Sequence, residues 1–298
     1  MIENRRTPYR ILCGILLIIL ALLFIFPIYW IVTGSFKEKS EILIKAGESI
    51  KWFPSTFTAE SYQKLFTSRV PALSYIIPGS SASGPMISSA VRWLFNSVFI
   101  SVIAMLLTCV TASLAGYVLA KKRFFGRGAI FTLFICAMAL PKQVILIPLL
   151  ALASSLGIAD TPWAVIFPIV GWPFGVFLMK QFSETIPTEM LEAARIDGAG
   201  ELRTFWSVVM PIIKPGFGAL AIFTFISAWN EYPLQLVMLH PDASKTISLG
   251  IASLQAEMST DYGLIMAGAA LGAVPIIIIF LCFQKYFTQG ITMGAVKG

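Results

Sequence analysis

Residues 187–211 read PTEMLEAARIDGAGELRTFWSVVMP and lie between two apolar runs that are each long enough to cross a membrane. Pro187 suits the first position of a helix, where the missing backbone N–H has no partner to lose. Gly198 suits the left-handed residue that ends such a helix. Pro211 is expected to break a second helix and Pro215 to begin the next membrane helix, because proline removes a backbone donor. The stretch therefore predicts a short helix-turn-helix outside the membrane.

The two predicted helices of this stretch have different surfaces. Ala193 and Ala194 are strong helix formers with little bulk, so a partner can approach this face closely. In the second helix, four apolar residues recur at helical spacing and predict one apolar stripe: Leu202, Phe205, Trp206 and Val209. This shape suits a coupling element that docks into a groove on a soluble partner. The alternative is an amphipathic hairpin that lies on the bilayer surface.

The composition is that of a membrane protein. The chain is 57% hydrophobic and 12% charged, with a mean hydropathy of +0.82, whereas soluble domains carry about 25% charged residues. The net charge of +7 comes from basic residues at the ends of apolar runs. This placement favours anionic lipid headgroups over nucleic acid as the partner. The four cysteines fall inside apolar stretches without metal-ligand spacing and are interpreted as small core residues.

Six segments are long and apolar enough to span a bilayer core, which requires about 20 residues of helix. They are residues 11–32, 91–120, 129–152, 162–180, 216–239 and 264–283. The first apolar run is too long for a signal peptide and is predicted to be an uncleaved span. We therefore predict one all-α, polytopic membrane domain over residues 1–298, with six transmembrane helices.

The distribution of lysine and arginine predicts the orientation, because cytoplasmic loops carry an excess of these residues. The amino terminus, the connection at 121–127 and the segment at 184–215 are rich in cations, so they and both chain termini are predicted to be cytoplasmic. The connections at 158–160 and 240–263 carry few. The loop at 34–90 is predicted to be extracytoplasmic, although it holds six cations, because its length and four glutamates weaken their effect. Residues 78–85 within it are predicted to form a flexible insert.

The spacing around Glu192 resembles a known motif: E-A-A, three residues, G, nine residues, then apolar-x-apolar-Pro. It resembles the EAA loop of ABC-type importer permeases. The resemblance implies the type I permease fold and a cytoplasmic coupling helix that contacts a separate ATPase. The coupling residues that it implies are Glu192, Ala193, Ala194, Asp197, Gly198, Ala199 and Pro211.

Other stretches resemble the maltose-type, carbohydrate-uptake branch of these permeases: residues 57–62, 229–231 and 290–298. This branch implies an oligosaccharide or sugar derivative, delivered by an extracytoplasmic solute-binding protein. It also implies a second, homologous permease subunit in a heterodimer, two ATP-binding subunits that hold ATP and Mg, and a prokaryotic cell membrane. No cofactor is expected on this chain. The tail is expected to reach the ATPases with residues Gly294, Ala295, Val296, Lys297 and Gly298.

Polar residues inside the fifth predicted span mark a candidate pathway. Trp229, Asn230 and Glu231 are expected to line it, because polar groups in hydrocarbon are usually functional. The alternative is that Glu231 lies near the outer interface and hydrates a helix end. Lys142 is expected either to contact substrate or to extend to an interface. Trp172, Phe174 and Trp229 have faces suited to stacking on sugar rings, although aromatic residues in a membrane protein need no such role.

Missing motifs narrow the function. The sequence has no G-x-x-x-x-G-K-[ST], so it is not expected to cradle ATP phosphates itself. One histidine in 298 residues argues against a histidine-based enzyme, and this residue, His240, is expected to be solvated. Two other classes stay open. An ion-coupled secondary transporter would show inverted halves and paired intramembrane acids, and a membrane scaffold or embedded enzyme would show a structural partner or a reactive constellation.

Overall fold

The computed structural model describes residues 6–43, 49–72, 76–78, 83–257 and 261–295. Helices dominate this part of the chain, and one small antiparallel hairpin pairs Val70 with Ile87. The α-helices are α1 Arg6–Gly34, α2 Lys39–Ile42, α3 Glu60–Thr67, α4 Ser89–Lys121, α5 Arg127–Met138, α6 Leu146–Ser155, α7 Pro162–Val170, α8 Phe174–Glu184, α9 Thr188–Ile196, α10 Glu201–Thr204, α11 Met210–Trp229, α12 Tyr232–Met238, α13 Ile247–Glu257 and α14 Tyr262–Ala295. The strands are β1 Arg69–Pro71 and β2 Met86–Ser88. A 3-10 helix covers Lys142–Ile145 and a π-helix covers Phe205–Val209.

Five helical segments in the described residues are long and apolar enough to cross a membrane, and a bent pair makes a sixth if it counts as one span. The five are Tyr9–Gly34, Ser89–Lys121, Pro162–Glu184, Glu201–Trp229 and Tyr262–Gln284. The all-α membrane architecture predicted from the sequence is thereby confirmed.

The third predicted span, residues 129–152, is not a straight helix. Helix α5 and the segment Lys142–Ser155 meet at an angle of 96°. Pro141 lies at this break in an extended conformation. Proline has no N–H to donate, and it disfavours helical geometry in the residue before it. The break places Lys142 on a 3-10 turn between two apolar helices.

The fifth predicted span is shifted. The sequence predicted a break at Pro211 and a span over 216–239, but the helical segment runs without a break from Glu201 to Trp229. The π-helix precedes Pro211, and its wider turn is a common way for a helix to accommodate a local irregularity. The segment then ends at Asn230, so that Glu231 lies between α11 and α12.

Helix α4 lies at the centre of the bundle, where it packs against α7, α8 and α11. It approaches α8 closely at Gly116, where an added Cβ would lie 2.6 Å from the backbone nitrogen of Lys180 and 2.7 Å from the carbonyl carbon of Met179. Of the cysteines, which were predicted to lie in the core, Cys109 is buried there, whereas Cys136 and Cys282 are exposed. Those two predictions were wrong, because apolar spans also present surface to lipid.

Three polar side chains at the start of α4 form hydrogen bonds with the backbone of residues 242–247. Trp93 Nε1 donates to Asp242 O at 2.8 Å, and Ser97 Oγ accepts from Ile247 N at 2.8 Å. Asn96 Nδ2 donates to Ala243 O at 2.9 Å and to Lys245 O at 2.8 Å. All three α4 side chains are buried. They form hydrogen bonds with loop carbonyls and one loop amide, which folding removes from contact with water.

Replacing Asn96 with leucine is expected to destabilise the protein. The leucine has a similar size but no donor, and the buried carbonyl of Lys245 loses this partner. The free energy of unfolding should fall by about 1–3 kcal/mol, measured as a lower midpoint of thermal unfolding in detergent. Asn230→Leu is the matched control, because Asn230 is exposed. Equal shifts for both variants would contradict a role for the buried hydrogen bonds.

The extended segment before α3 is tied to α2 by one carboxylate. Glu41 accepts hydrogen bonds from the backbone N–H of Ser55, at 3.2 and 3.3 Å, and from Lys51 Nζ at 3.0 Å. The side chain of Ser55 first, then that of Lys51 and the Ser55 backbone, lower the pKa of Glu41 from its ordinary value by hydrogen bonding to its carboxylate. The flexible insert predicted at residues 78–85 ends directly before β2, and residues 79–82 of it lie outside the described residues.

Candidate coupling surface and cavity

The helix-turn-helix at residues 188–209 turns at Gly198. Helix α9 ends at Ile196, and Gly198 has a φ of +76°, as its role in ending the helix predicted. A Cβ added there would meet no atom within 4 Å, so the backbone conformation, and not space, is what requires glycine. Pro187 precedes the first helical residue instead of occupying it.

One side of this hairpin packs onto the membrane bundle. Leu191, Phe205 and Val209 are buried in one cluster with Tyr117 of α4. Ala194 is also buried, so its predicted place on an open coupling face is wrong, because helix rotation turns it toward the bundle.

The four residues of the apolar stripe predicted on the second helix do not share one face. Phe205 and Val209 are 2% and 0% exposed, whereas Leu202 and Trp206 are 70% and 53% exposed. The π-helix that begins at Phe205 turns more slowly than an α-helix, so spacing that assumes 3.6 residues per turn does not hold across it. The prediction that Leu202 and Trp206 belong to the same stripe as Phe205 and Val209 was therefore wrong.

The other side of the hairpin is open in this chain. Ile196 is 86% exposed, and the neighbouring polar and small residues share this side. The predicted coupling residues that are exposed are Glu192, Ala193, Asp197, Gly198 and Pro211, and Ala199 is half-buried.

Lysines at the end of α4 attach the hairpin to the bundle. Lys121 Nζ donates to the carbonyls of Glu184, at 3.1 Å, and Ile186, at 2.6 Å. Lys122 pairs with Glu201, which also pairs with Arg195. The Lys121 contacts supply donors and positive charge where α8 ends, which stabilises its unpaired carbonyls. Contacts of Lys121 and Lys122 thus join the end of α4 to the end of α8 and to the hairpin.

A cavity of about 280 Å³ lies inside the bundle where three helix breaks converge. Lys142 follows the break after α5, Trp172 lies between α7 and α8, and Glu231 lies between α11 and α12. Lys142 Nζ is 3.2 Å from Glu231 Oε2 and 4.8 Å from the centre of the Trp172 ring. The pair joins positions that are 89 residues apart in sequence.

The remaining walls of the cavity combine aromatic rings and hydroxyl groups. Phe174 and Phe223, whose ring centres are 4.7 Å apart, line it. Thr224 and Ser227 of α11 and Thr108 of α4 add hydroxyls. Thr108 is 4% exposed, and in the described part of the chain no atom forms a hydrogen bond with its Oγ1.

The three candidate pathway residues separate in the structure. Glu231 lines the cavity. Asn230 is exposed and donates to Ile226 O. Trp229 is 2% exposed and packs with Trp93, Phe225 and Ile247, so its prediction as a lining residue was wrong. Three consecutive residues at a helix end point in different directions, which the sequence pattern did not resolve.

The structure also places residues for which the sequence left two roles open or indicated none. Trp172, Phe174 and Lys142 all line the cavity. Phe223 and Ser227 were missed, although they precede Glu231 by eight and four residues and thus follow one face of a helix. His240 is mostly exposed, as expected, and its Nδ1 lies 2.9 Å from Asp160 Oδ1.

Two further predictions concern metals and the tail. The described ranges contain no group of three or more His, Cys, Asp or Glu that could hold a metal ion. Helix α14 extends to Ala295, while residues 296–298 lie outside the described residues. The predicted contact between residues 294–298 and the ATPases therefore stays a prediction.

Known proteins match this chain over most of its length. The model of the family described as "Binding-protein-dependent transport system inner membrane component" matches residues 112–293. The arabinooligosaccharides transport system permease protein AraQ of Bacillus subtilis is 33% identical, over 97% of this chain and 96% of that protein. The diacetylchitobiose uptake system permease protein DasC of Streptomyces coelicolor is 28% identical, over 97% and 98%. One chain in a crystal structure of a bacterial ABC transporter involved in the import of alginate has the same fold. The TM-score is 0.78, and the sequence identity is 20% over 96% of this chain and 99% of that one.

Proposed function

The chain belongs to the family of binding-protein-dependent transport system inner membrane components, and from this premise we propose that it forms half of the carbohydrate pathway in an ABC importer. Its relatives that are named above are permeases for sugar oligomers. The observation that carries the proposal is the open hairpin around Gly198, which is joined to α4 by the ion pair of Lys122 with Glu201 and preceded by the Lys121 contacts at the end of α8. A coupling element needs a surface that a partner can reach and an attachment to the membrane helices.

The ATPases act on this chain through the hairpin. Two ATP-binding subunits hold ATP and Mg, and each grips one coupling helix of a permease pair. In this chain the gripped surface consists of Glu192, Ala193, Asp197 and Gly198, all exposed. When the ATPases close, the hairpin moves as a rigid body and the bundle changes from inward- to outward-facing. The chain itself catalyses no reaction.

The remaining partners follow from the same interpretation. A second, related permease subunit completes the pathway, and an extracytoplasmic solute-binding protein delivers the carbohydrate to the side that carries the loop at 34–90. Both chain termini and the hairpin lie in the cytoplasm of a prokaryotic cell. The ion pair of Lys142 with Glu231 gives the cavity polar groups at the level of the helix breaks, where cargo would pass.

Cysteine labelling tests the orientation. In a variant without the four native cysteines, Ile196→Cys is expected to react with a membrane-impermeant maleimide only after the membrane is opened, because the hairpin is cytoplasmic. The exposed residue Phe57, as Phe57→Cys, should react in intact cells. Labelling of the Ile196→Cys variant from outside would refute the coupling role.

Co-purification and energised uptake test the function itself. Solubilisation of the complex with its neighbouring gene products is expected to retain ATP-binding subunits, and uptake of an oligosaccharide should stop when ATP hydrolysis is blocked. An ion-coupled secondary transporter would instead take up its cargo without an ATPase and would stop when the ion gradient is collapsed. That result would overturn the proposal.

A further inference from the structure

The charges on the described residues that line the cavity cancel each other. Two of the described residues that line it are charged, Lys142 and Glu231, and they form an ion pair with each other. The side chain of Glu231 is 16% exposed and that of Lys142 is 42% exposed, so solvent reaches the pair from the side of the lysine. The ring of Trp172 lies beside the ammonium group and adds a further favourable contact. The site therefore offers no uncompensated charge to a ligand.

Its other groups suit a ring with hydroxyl groups. Trp172, Phe174 and Phe223 provide flat apolar faces, which match the C–H faces of a sugar ring. Thr224, Ser227 and the two paired charges provide donors and acceptors for hydroxyls.

We infer that this cavity is a subsite for an uncharged saccharide ring and that the Lys142–Glu231 pair discriminates against acidic sugars. The inference rests on the proposed function and adds the charge class of the cargo. An anionic sugar would compete with Glu231 for Lys142 and would leave one carboxylate without its partner. For Glu231, whose side chain is 16% exposed, loss of the partner is unfavourable because water replaces it only in part. An uncharged ring meets no such penalty, because it leaves the pair intact.

The pair can be altered without a change in shape. Glu231→Gln keeps the size of the side chain but leaves Lys142 as an uncompensated cation. This variant is expected to bind an acidic sugar better and an uncharged one about equally or worse. The double exchange Lys142→Glu with Glu231→Lys restores neutrality with the charges reversed, so it should recover the preference for uncharged sugar.

The experiment measures equilibrium binding of raffinose and of trigalacturonate to the detergent-purified complex of this chain with its partner permease and ATPases. The solute-binding protein is omitted, so that its own selectivity does not contribute. The wild-type complex is expected to prefer raffinose, and Glu231→Gln should lower the ratio of the two affinities by about tenfold, as expected for a change of about 1.4 kcal/mol. Glu60→Gln is the matched control, since Glu60 pairs with Lys64 on exposed α3.

Each outcome decides the inference. A lowered ratio in Glu231→Gln, recovery in the double exchange and no change in Glu60→Gln support it. An unchanged ratio in Glu231→Gln, in a complex that melts at the wild-type temperature, overturns it and leaves the importer function standing. Failure of the wild-type complex to bind either trisaccharide also overturns it. ATP-dependent uptake by the complete transporter then reports separately on whether the proposed function fails as well.

Discussion

Replacing Glu192 with lysine is expected to abolish ATP-driven uptake while the chain still inserts into the membrane. Glu192 is exposed on α9, next to Ala193 and one turn from Ile196, which is 86% exposed. On the surface that we assign to the ATPase, the change reverses a charge and lengthens a side chain beside a small residue. Hot-spot residues of protein interfaces contribute about 2 kcal/mol or more, and a loss of this size at Glu192 corresponds to docking weakened by about 30-fold.

The measurement has two parts: the amount of ATPase that stays with the chain in detergent, and the uptake of oligosaccharide by cells. Glu60→Lys is the matched control, because it makes the same change at an exposed carboxylate of α3, on the side assigned to the exterior. That variant should retain the ATPases. Normal ATPase retention and normal uptake in Glu192→Lys would show that the hairpin is not the coupling surface.

Replacing Gly116 with leucine is expected to have the largest effect on stability. The first atom of the new side chain would lie 2.6 Å from the Lys180 nitrogen and 2.7 Å from the Met179 carbonyl carbon. Both are backbone atoms of α8, so no flexible side chain can move aside, and α4 and α8 must separate. Overpacking of this kind lowers the free energy of unfolding by about 3 kcal/mol, which corresponds to about 5–10 °C in the midpoint of thermal unfolding.

Gly128→Leu supplies the comparison for that variant. Gly128 lies in α5, is exposed, and would place an added Cβ more than 4 Å from any neighbour. Leucine favours helix over glycine, so this variant should unfold at the wild-type temperature or slightly above it. A Gly116→Leu protein that melted like Gly128→Leu would mean that α4 and α8 do not pack closely in the membrane.

Local features were predictable from the sequence, and features between distant segments were not. The turn at Gly198 was predicted correctly because a left-handed backbone position selects for glycine through the residue's own sterics. The break at Pro211 was predicted from the same kind of local rule and was wrong. There, the π-helix before the proline let the segment continue from Glu201 to Trp229.

A bundle of membrane helices, with a polar hairpin between the fourth and fifth spans, follows from the order of residue types along the chain. Apolar length and the backbone preferences of proline and glycine act within a few residues, so the sequence carries them directly. The meeting of Lys142, Trp172 and Glu231 at one cavity emerges only from the packed helices, as does the burial of Ala194 and Phe205 beside an exposed Ile196. Those outcomes depend on how helices rotate and pack against neighbours that are remote in sequence, and a pattern of residue types along one segment does not specify that rotation.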